Sequence, residues 1–497
     1  MTLAPPRRPR PLAVLCAAAV LLLAAASAGR AASPAAPARP NILLILADNW
    51  GWPHAGALGD PVAATPAFDR VAREGVLFPN TFCPVPSCSP TRASLLTGRA
   101  AHQLEDAANL WSAFPGKLVV FTAALRAAGY EVGATGKAWS PGNFKDHGWP
   151  ENPVGRDYPG GLAEFLAARD RARPFFFWLG NIDTASHLWR NAPGDPADPL
   201  AARLRVPPEF PDTPEVRAAL LGYYAAVRRL DLAAAAALSQ LEQAAILDDT
   251  VVIYTSDNGW QLPRGLANCY DSGTRVPFAV RWGRRLRAGR TDPAFVNLTD
   301  LAPTLLELAG LAPPPVMTGR SLVGALLERP DAVRADHVFV ERERHANVRR
   351  GDLSYPIRGV RTRDHLYLWN LRPERWPAGD PVMHFAVGDY GDVDPSLVKE
   401  TILARRADPA IAPFFALSFA KRPAEELYDL RTDPHQLVNL AGRPETAAVQ
   451  RELRARVERW MRETADPRVD PTYDGWDTMP YYGPPPRPAG AAAKKKR

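Results

Sequence analysis

The chain has 497 residues, 46% of them apolar, so it is long enough for one large core plus a smaller domain and is not a short module. Its formal charge of +7 sits at the ends: residues 1–40 and 481–497 hold ten of the 60 basic residues and no acid, leaving 50 basic against 53 acidic residues between them. A near-neutral body lacks the basic footprint of a nucleic-acid-binding protein, and no nucleic-acid partner is expected.

Arg7, Arg8 and Arg10 precede an apolar run over residues 12–26, and Ala26-Ser27-Ala28 offers a small-residue cleavage site. The pattern predicts a signal peptide over residues 1–32 and a linker over 33–40. The run is short and alanine-rich for a span of about 20 residues, so the expectation is export to the periplasm or extracellular space with no stable membrane anchor after cleavage. Cys16 lies in that signal, which leaves Cys83, Cys88 and Cys269. Three cysteines do not make a disulfide scaffold, and chemical conversion of one would explain the odd thiol in an exported protein.

Asn41–Ala47 (NILLILA) is a short, apolar, β-rich run of the kind buried in a parallel sheet, and residues 250–255 (TVVIYT) are another. Each runs into an Asp-Asn pair, Asp48-Asn49 and Asp257-Asn258. Open α/β sheets form ligand sites at strand carboxyl ends, so four oxygen-bearing side chains are expected to meet there. Such hard ligands suit Ca²⁺, with Mg²⁺ as the alternative, rather than zinc.

In SCSPTRASLLTGR, residues 87–99, Ser89 reads as an N-cap, Pro90 as the first helical position and Gly98 as the stop, which puts Cys88 just outside the helix. Free N–H groups at such a terminus, with Arg92 one turn along, favour an anion beside the sulfur. A helix over residues 216–245 is entered through Asp212-Thr213-Pro214. The pattern breaks at residues 311–315, and after about Asp336 the runs shorten and alternate, as in 355–360 and 365–369, before a helix over 446–464. The fold expected is an α/β three-layer α/β/α sandwich with a large mixed, mainly parallel sheet over residues 41–335. A smaller C-terminal α+β domain with an antiparallel sheet follows over 336–475, then a disordered basic tail over 476–497.

Together these motifs resemble the sulfatases of the alkaline-phosphatase superfamily. The likeness rests on Cys88-Ser89-Pro90-Thr91-Arg92 with Leu95 to Arg99, residues 130–137 (YEVGATGK), Ser256-Asp257-Asn258-Gly259, and Leu427-Tyr428-Asp429-Leu430 with Asp433-Pro434. Residues 51–56, 109–112 and 354–358 look most like the heparan N-sulfatase (sulfamidase) branch. The resemblance implies that a maturation enzyme oxidises Cys88 to formylglycine. One oxygen of its hydrate would attack sulfur and the other help expel sulfate. Asp48, Asn49, residue 88, Asp257 and Asn258 would hold the metal, and Arg92 and Lys137 would neutralise developing charge on a sulfated-sugar substrate.

Several positions depart from the family pattern. No histidine follows Lys137, where Ala138-Trp139-Ser140 stands; Ile182 and Ala185 occupy two other histidine positions, leaving His187 as the candidate general acid. Leu266 replaces a sulfate-contacting cation, for which Arg264 is the candidate substitute, and Asn49 stands where many members have Asp. Glu341, Arg342, His345, Tyr355 and Arg358 are expected to line a rim that contacts sugar. Two other functions fit: a phosphate or phosphonate ester hydrolase on the same scaffold, and a sulfated-glycan-binding homologue with weakened catalysis.

Overall fold

The first strand, β1 (Asn41–Ala47), is apolar throughout because it has no solvent face. Ile42, Leu44 and Leu46 project into one apolar layer, while Leu43, Ile45 and Ala47 project into the other. Alternate side chains of a strand point to opposite faces, so two separate cores on one strand require a sheet covered on both sides. The structure, a computed structural model, describes residues 1–2, 39–195, 197–382 and 388–483. Apart from Met1 and Thr2, the expected signal segment lies outside them, as does the tail from residue 484.

The large sheet is completed by β2 (Val76–Leu77), β3 (Glu131–Gly136), β4 (Arg156–Asp157), β5 (Phe175–Asn181), β6 (Thr250–Ser256), β7 (Phe278–Arg281) and β8 (Arg290–Thr291), in the spatial order β8-β2-β7-β6-β1-β5-β3-β4. The run β6-β1-β5-β3-β4 is parallel; β7 is antiparallel to β6 and to β2. One face carries the helices Pro66–Arg73 and Pro214–Gln243, and the other carries Cys88–Thr97, Phe121–Ala127 and Leu301–Leu308. The long helix begins where the sequence suggested: Thr213 caps it, accepting from Val216 N, and Pro214 occupies the first turn.

A second sheet is antiparallel throughout, in the order β9 (His337–Arg342), β10 (Ile357–Thr362), β11 (His365–Asn370), β12 (Glu425–Asp429). Leu366 and Leu368 pack on one face with Cys269 and Tyr355; Tyr367, between them, packs on the other against Val457 and Met461 of the helix Ala447–Glu463. This is the mixed sandwich plus small antiparallel sheet that the pattern predicted. Residues from Pro40 onward nonetheless cluster as one compact unit.

The body also continues past residue 475, where the tail was expected to begin. Trp476 is buried, Asp477 pairs with Arg375 at 2.9 Å, and Arg344 donates to Met479 O at 2.6 Å. An aromatic anchor and two ionic or charge-assisted contacts hold the segment that its proline-rich sequel had masked. Among the described residues, no helix is long and apolar enough to cross a membrane.

Candidate active site

Register places the site. Ala47 at the end of β1 pairs with Ser256 of β6 and Asn181 of β5, so the residues after these three strands emerge side by side. Asp48 and Asp257 are therefore neighbours although 209 positions apart in the chain, and Asn49 N donates to Asp257 Oδ1 at 3.1 Å. Asn49 has φ of 71°, a left-handed conformation that Asn tolerates better than most residues. The end of β3 supplies Lys137, whose Nζ reaches Asp48 Oδ1 at 2.6 Å. This crossing needs Gly180 on β5, because a Cβ there would lie 2.0 Å from Lys137 O.

The helix Cys88–Thr97 brings the sulfur. It starts two residues earlier than the Ser89-Pro90 pair suggested, so that Cys88 is its first residue: Ser87 is the extended N-cap, and Thr91 N donates to Ser87 O at 3.0 Å to close the first turn. Pro90 fits inside that turn because its missing N–H would have had no helical partner. Gly98 ends the helix with φ of 65°, as expected. Cys88 Sγ lies 3.4 Å from Asp48 Oδ1 and 3.9 Å from Asn49 Oδ1.

Arg92, fully buried, ties the groups together. Nε and Nη2 meet Asp257 Oδ2 at 2.9 and 2.8 Å, Nη2 meets Asp48 Oδ1 at 3.3 Å, and Nη1 donates to Lys137 O and Ala138 O. Burial opposes charge on Asp48, but Lys137 and Arg92 overcome it and hold that carboxyl below its usual value. At Asp257 burial prevails, aided by the Asp48 charge and opposed by Arg92, and the carboxyl is raised. The Cys88 thiol is pushed well up by burial and by Asp48, so it is no thiolate.

The donor set fits a hard divalent cation. Ligand atoms of Asp48, Cys88 and Asp257 lie within 4.8 Å of one another. Asn258 Nδ2 bonds Asn49 Oδ1 at 2.7 Å, while Asn258 Oδ1 is buried with no partner among the described residues. An orphaned acceptor beside two carboxylates is costly unless a donor or a cation completes it. Thr184, which nothing in the motif spacing marked, braces the cluster by donating to Asp48 O at 2.7 Å.

Other expected contributors lie elsewhere. His187 is exposed on the short helix Ser186–Trp189, and no hydrogen bond among the described residues links it to the cluster. Trp139 is core: its indole donates to Ser89 O at 3.1 Å behind the helix. Ile182 is exposed and Ala185 buried. Arg264 does not replace the missing cation at Leu266. It is buried, stacks 3.9 Å over the Tyr270 ring and donates to Leu417 O and Gln436 O. The sugar rim is also corrected, since Glu341, Arg342, Tyr355 and Arg358 are all buried in the body, where residues 101–102, 392 and 466 cover them. His345 alone of the five touches the helix start, through Ser87.

The chain matches the family model described as Sulfatase over residues 40–153 and 160–311, and that described as N-sulphoglucosamine sulphohydrolase, C-terminal, over 266–371. It is 32% identical over 484 residues to N-sulphoglucosamine sulphohydrolase of Homo sapiens, covering 87% of this chain and 92% of that protein. Among solved structures, a protein in complex with its substrate D-glucosamine-2-N,6-O-disulfate superimposes with a TM-score of 0.60 at 20% identity, covering 87% of this chain and 99% of that one. The phosphonate monoester hydrolase of Agrobacterium radiobacter does so with 0.60 at 17%, covering 86% and 96%. At these identities the two structures establish a common fold.

Proposed function

Because the chain belongs to the sulfatase family, we propose that it is an exported hydrolase that removes sulfate, as ester or sulfamate, from sulfated sugars. It uses a formylglycine that a maturation enzyme makes from Cys88, and a Ca²⁺ or Mg²⁺ ion held by Asp48, Asn49, residue 88, Asp257 and Asn258. The observation that carries this reading is the convergence of Asp48, Cys88 and Asp257, with the unpartnered Asn258 Oδ1 beside them. When present, the cation polarises a sulfuryl oxygen and the formylglycine hydrate supplies the attacking oxygen. The similarity to human N-sulphoglucosamine sulphohydrolase supports an amino-sugar sulfate as substrate.

The chain's own residues do the positioning. All three guanidinium nitrogens of Arg92 are occupied by Asp48, Asp257 and two carbonyls, so it holds the carboxylates in register and contributes fixed positive charge. Lys137 spends one contact on Asp48, and its side chain keeps 16% exposure, which leaves ammonium protons for a sulfuryl oxygen. Ser87 makes no side-chain cap, so the first N–H groups of the helix stay available to the anion. Two carboxylates and two cations cancel one another, and an added divalent ion makes the site attractive to a sulfate.

Mass spectrometry of the peptide around residue 88, from chain co-produced with its maturation enzyme, tests the proposal together with a panel of sulfated glucosamines. The expected result is formylglycine at 88, sulfate release by that chain, and none by Cys88→Ala. Unmodified Cys88 in the native host would overturn it. Faster cleavage of an aryl phosphate than of the matching aryl sulfate would point to the phosphate and phosphonate reading that the shared fold with the phosphonate hydrolase allows. Glycan binding without turnover by the modified chain would mark a weakened homologue.

A further inference from the structure

Resting on the sulfatase reading, we propose that His345 donates a hydrogen bond from Nε2 to the departing oxygen or nitrogen of the sugar. The starting observation is a diverted cap. Ser87 sits at the N-cap with φ −161° and ψ 132°, and serine there usually bonds a first-turn N–H, yet it makes no such bond. Its hydroxyl lies instead 2.8 Å from His345 Nδ1. The imidazole, from the segment after β9, is thereby fastened to the residue that directly precedes position 88.

The contact also sets the tautomer. Ser87 is 2% exposed and His345 5%. A buried hydroxyl proton with one protein partner goes to that partner, so Nδ1 accepts and Nε2 carries the ring proton. Nε2 has no hydrogen-bond partner among the described residues, and it is not one of the polar atoms sealed from solvent. The atom therefore keeps contact with solvent in a residue that is otherwise buried. Burial and the charges of Arg342, Arg349 and Lys137, opposed by Asp392, push the pKa of His345 down to about 4. The ring is neutral at pH 7 and acts as a hydrogen-bond donor, as neutral imidazoles do at other polarising sites.

The chemistry balances without a charged acid. A new S–O bond forms to the attacking oxygen as the S–O or S–N bond to the sugar breaks, and its electron pair leaves with the sugar heteroatom. The Nε2–H bond stabilises that pair, and water relays to the sugar heteroatom the proton that the attacking hydroxyl gives up, which completes the alcohol or amine. Of the other candidate donors, Trp139 Nε1 is committed to Ser89 O and Arg264 to two carbonyls, His187 is exposed, and Lys137 is assigned to the sulfuryl oxygen.

Two substitutions separate the two ring nitrogens. His345→Asn retains an amide near the Nδ1 position for Ser87 but loses Nε2; His345→Gln places an amide near Nε2. Both are compared with the modified wild-type chain on a sulfated glucosamine and on 4-nitrophenyl sulfate, whose phenolate leaves without help. For Asn, kcat on the sugar is expected to fall on the order of 10²-fold with KM changed less than about threefold, nitrophenyl sulfate turnover to change less than about threefold, and Gln to recover part of the loss. Equal losses on both substrates, or no loss on either, would overturn the proposal. Wild-type chain that cleaves neither would overturn the functional reading itself. Imidazole ¹⁵N spectra give a readout apart from activity: a neutral ring with the proton on Nε2 at pH 7 is expected, and a proton on Nδ1 would sink the proposal.

Discussion

Two of the buried charge clusters among the described residues differ in how completely their polar atoms are matched. At the edge of the large sheet, Asp48, Asp257, Arg92 and Lys137 neutralise one another, but Asn258 Oδ1 and Asn49 Nδ2 have no partner among the described residues. Under the small sheet, Arg358 meets both oxygens of Asp466 and one of Glu343. Arg468 takes Glu343 as well, and His102 takes Glu341 at 2.9 Å. None of those side chains has an unmatched buried atom among the described residues. The complete network holds its own parts in place, whereas the incomplete one, with two carboxylates beside its orphaned oxygen, is where a cation can bind.

The contrast is tested most severely by Arg358→Met. It leaves buried Asp466 without its guanidinium partner and Glu343 with Arg468 alone, and unfolding free energy is expected to drop by about 3–5 kcal/mol in denaturant melts, with turnover per folded molecule unchanged. Lost turnover at unchanged stability would return Arg358 to the sugar rim. Lys137→Ala should do the reverse. With its side chain partly exposed, its removal is expected to lower kcat by roughly 10²–10³-fold and leave the melting temperature within a few degrees.

A divalent cation sharpens the comparison further. Ca²⁺ at about 100 times its Kd should stabilise the wild-type chain by about 2.7 kcal/mol, reversed by a chelator. Asn258→Ala should lose most of that increment and Arg358→Met should keep it. An equal increment in both variants would place the cation away from the Asp-Asn pairs.

The two clusters also differ in how far the sequence discloses them. β1 and β6 were legible because a strand buried on both faces must be apolar throughout, and the Asp-Asn pairs that follow them inherit their position from strand register. The helix start was displaced by two residues because Ser89-Pro90 has cap chemistry, while the closing bond runs from Thr91 N to Ser87 O. The small-sheet cluster was misread as a rim open to sugar. Charged residues on an antiparallel strand look solvated until the chain returns, and here Asp466 comes back over Arg358 from 108 positions away. Ser87 and His345 are 258 positions apart, so no spacing pattern could connect them.

The smallest expected effect is a slope of stability with pH, and it tests whether His345 belongs with the incomplete cluster. Its pKa falls to about 4 in the folded chain from an ordinary 6.5, because burial and the neighbouring Arg342, Arg349 and Lys137 disfavour a charged ring more than Asp392 favours it. Between those values the unfolded chain binds the proton and the folded chain does not. Stability is therefore greatest above pH 6.5 and declines on acidification toward pH 4, by at most about 1.4 kcal/mol per pH unit from this one group. Subtracting the melts of His345→Gln from those of wild type isolates the term, since the buried carboxylates titrate in both chains. A difference that stays flat across the window would mean that the ring gains its proton in the folded state, and that the imidazole faces solvent rather than the space beside residue 88.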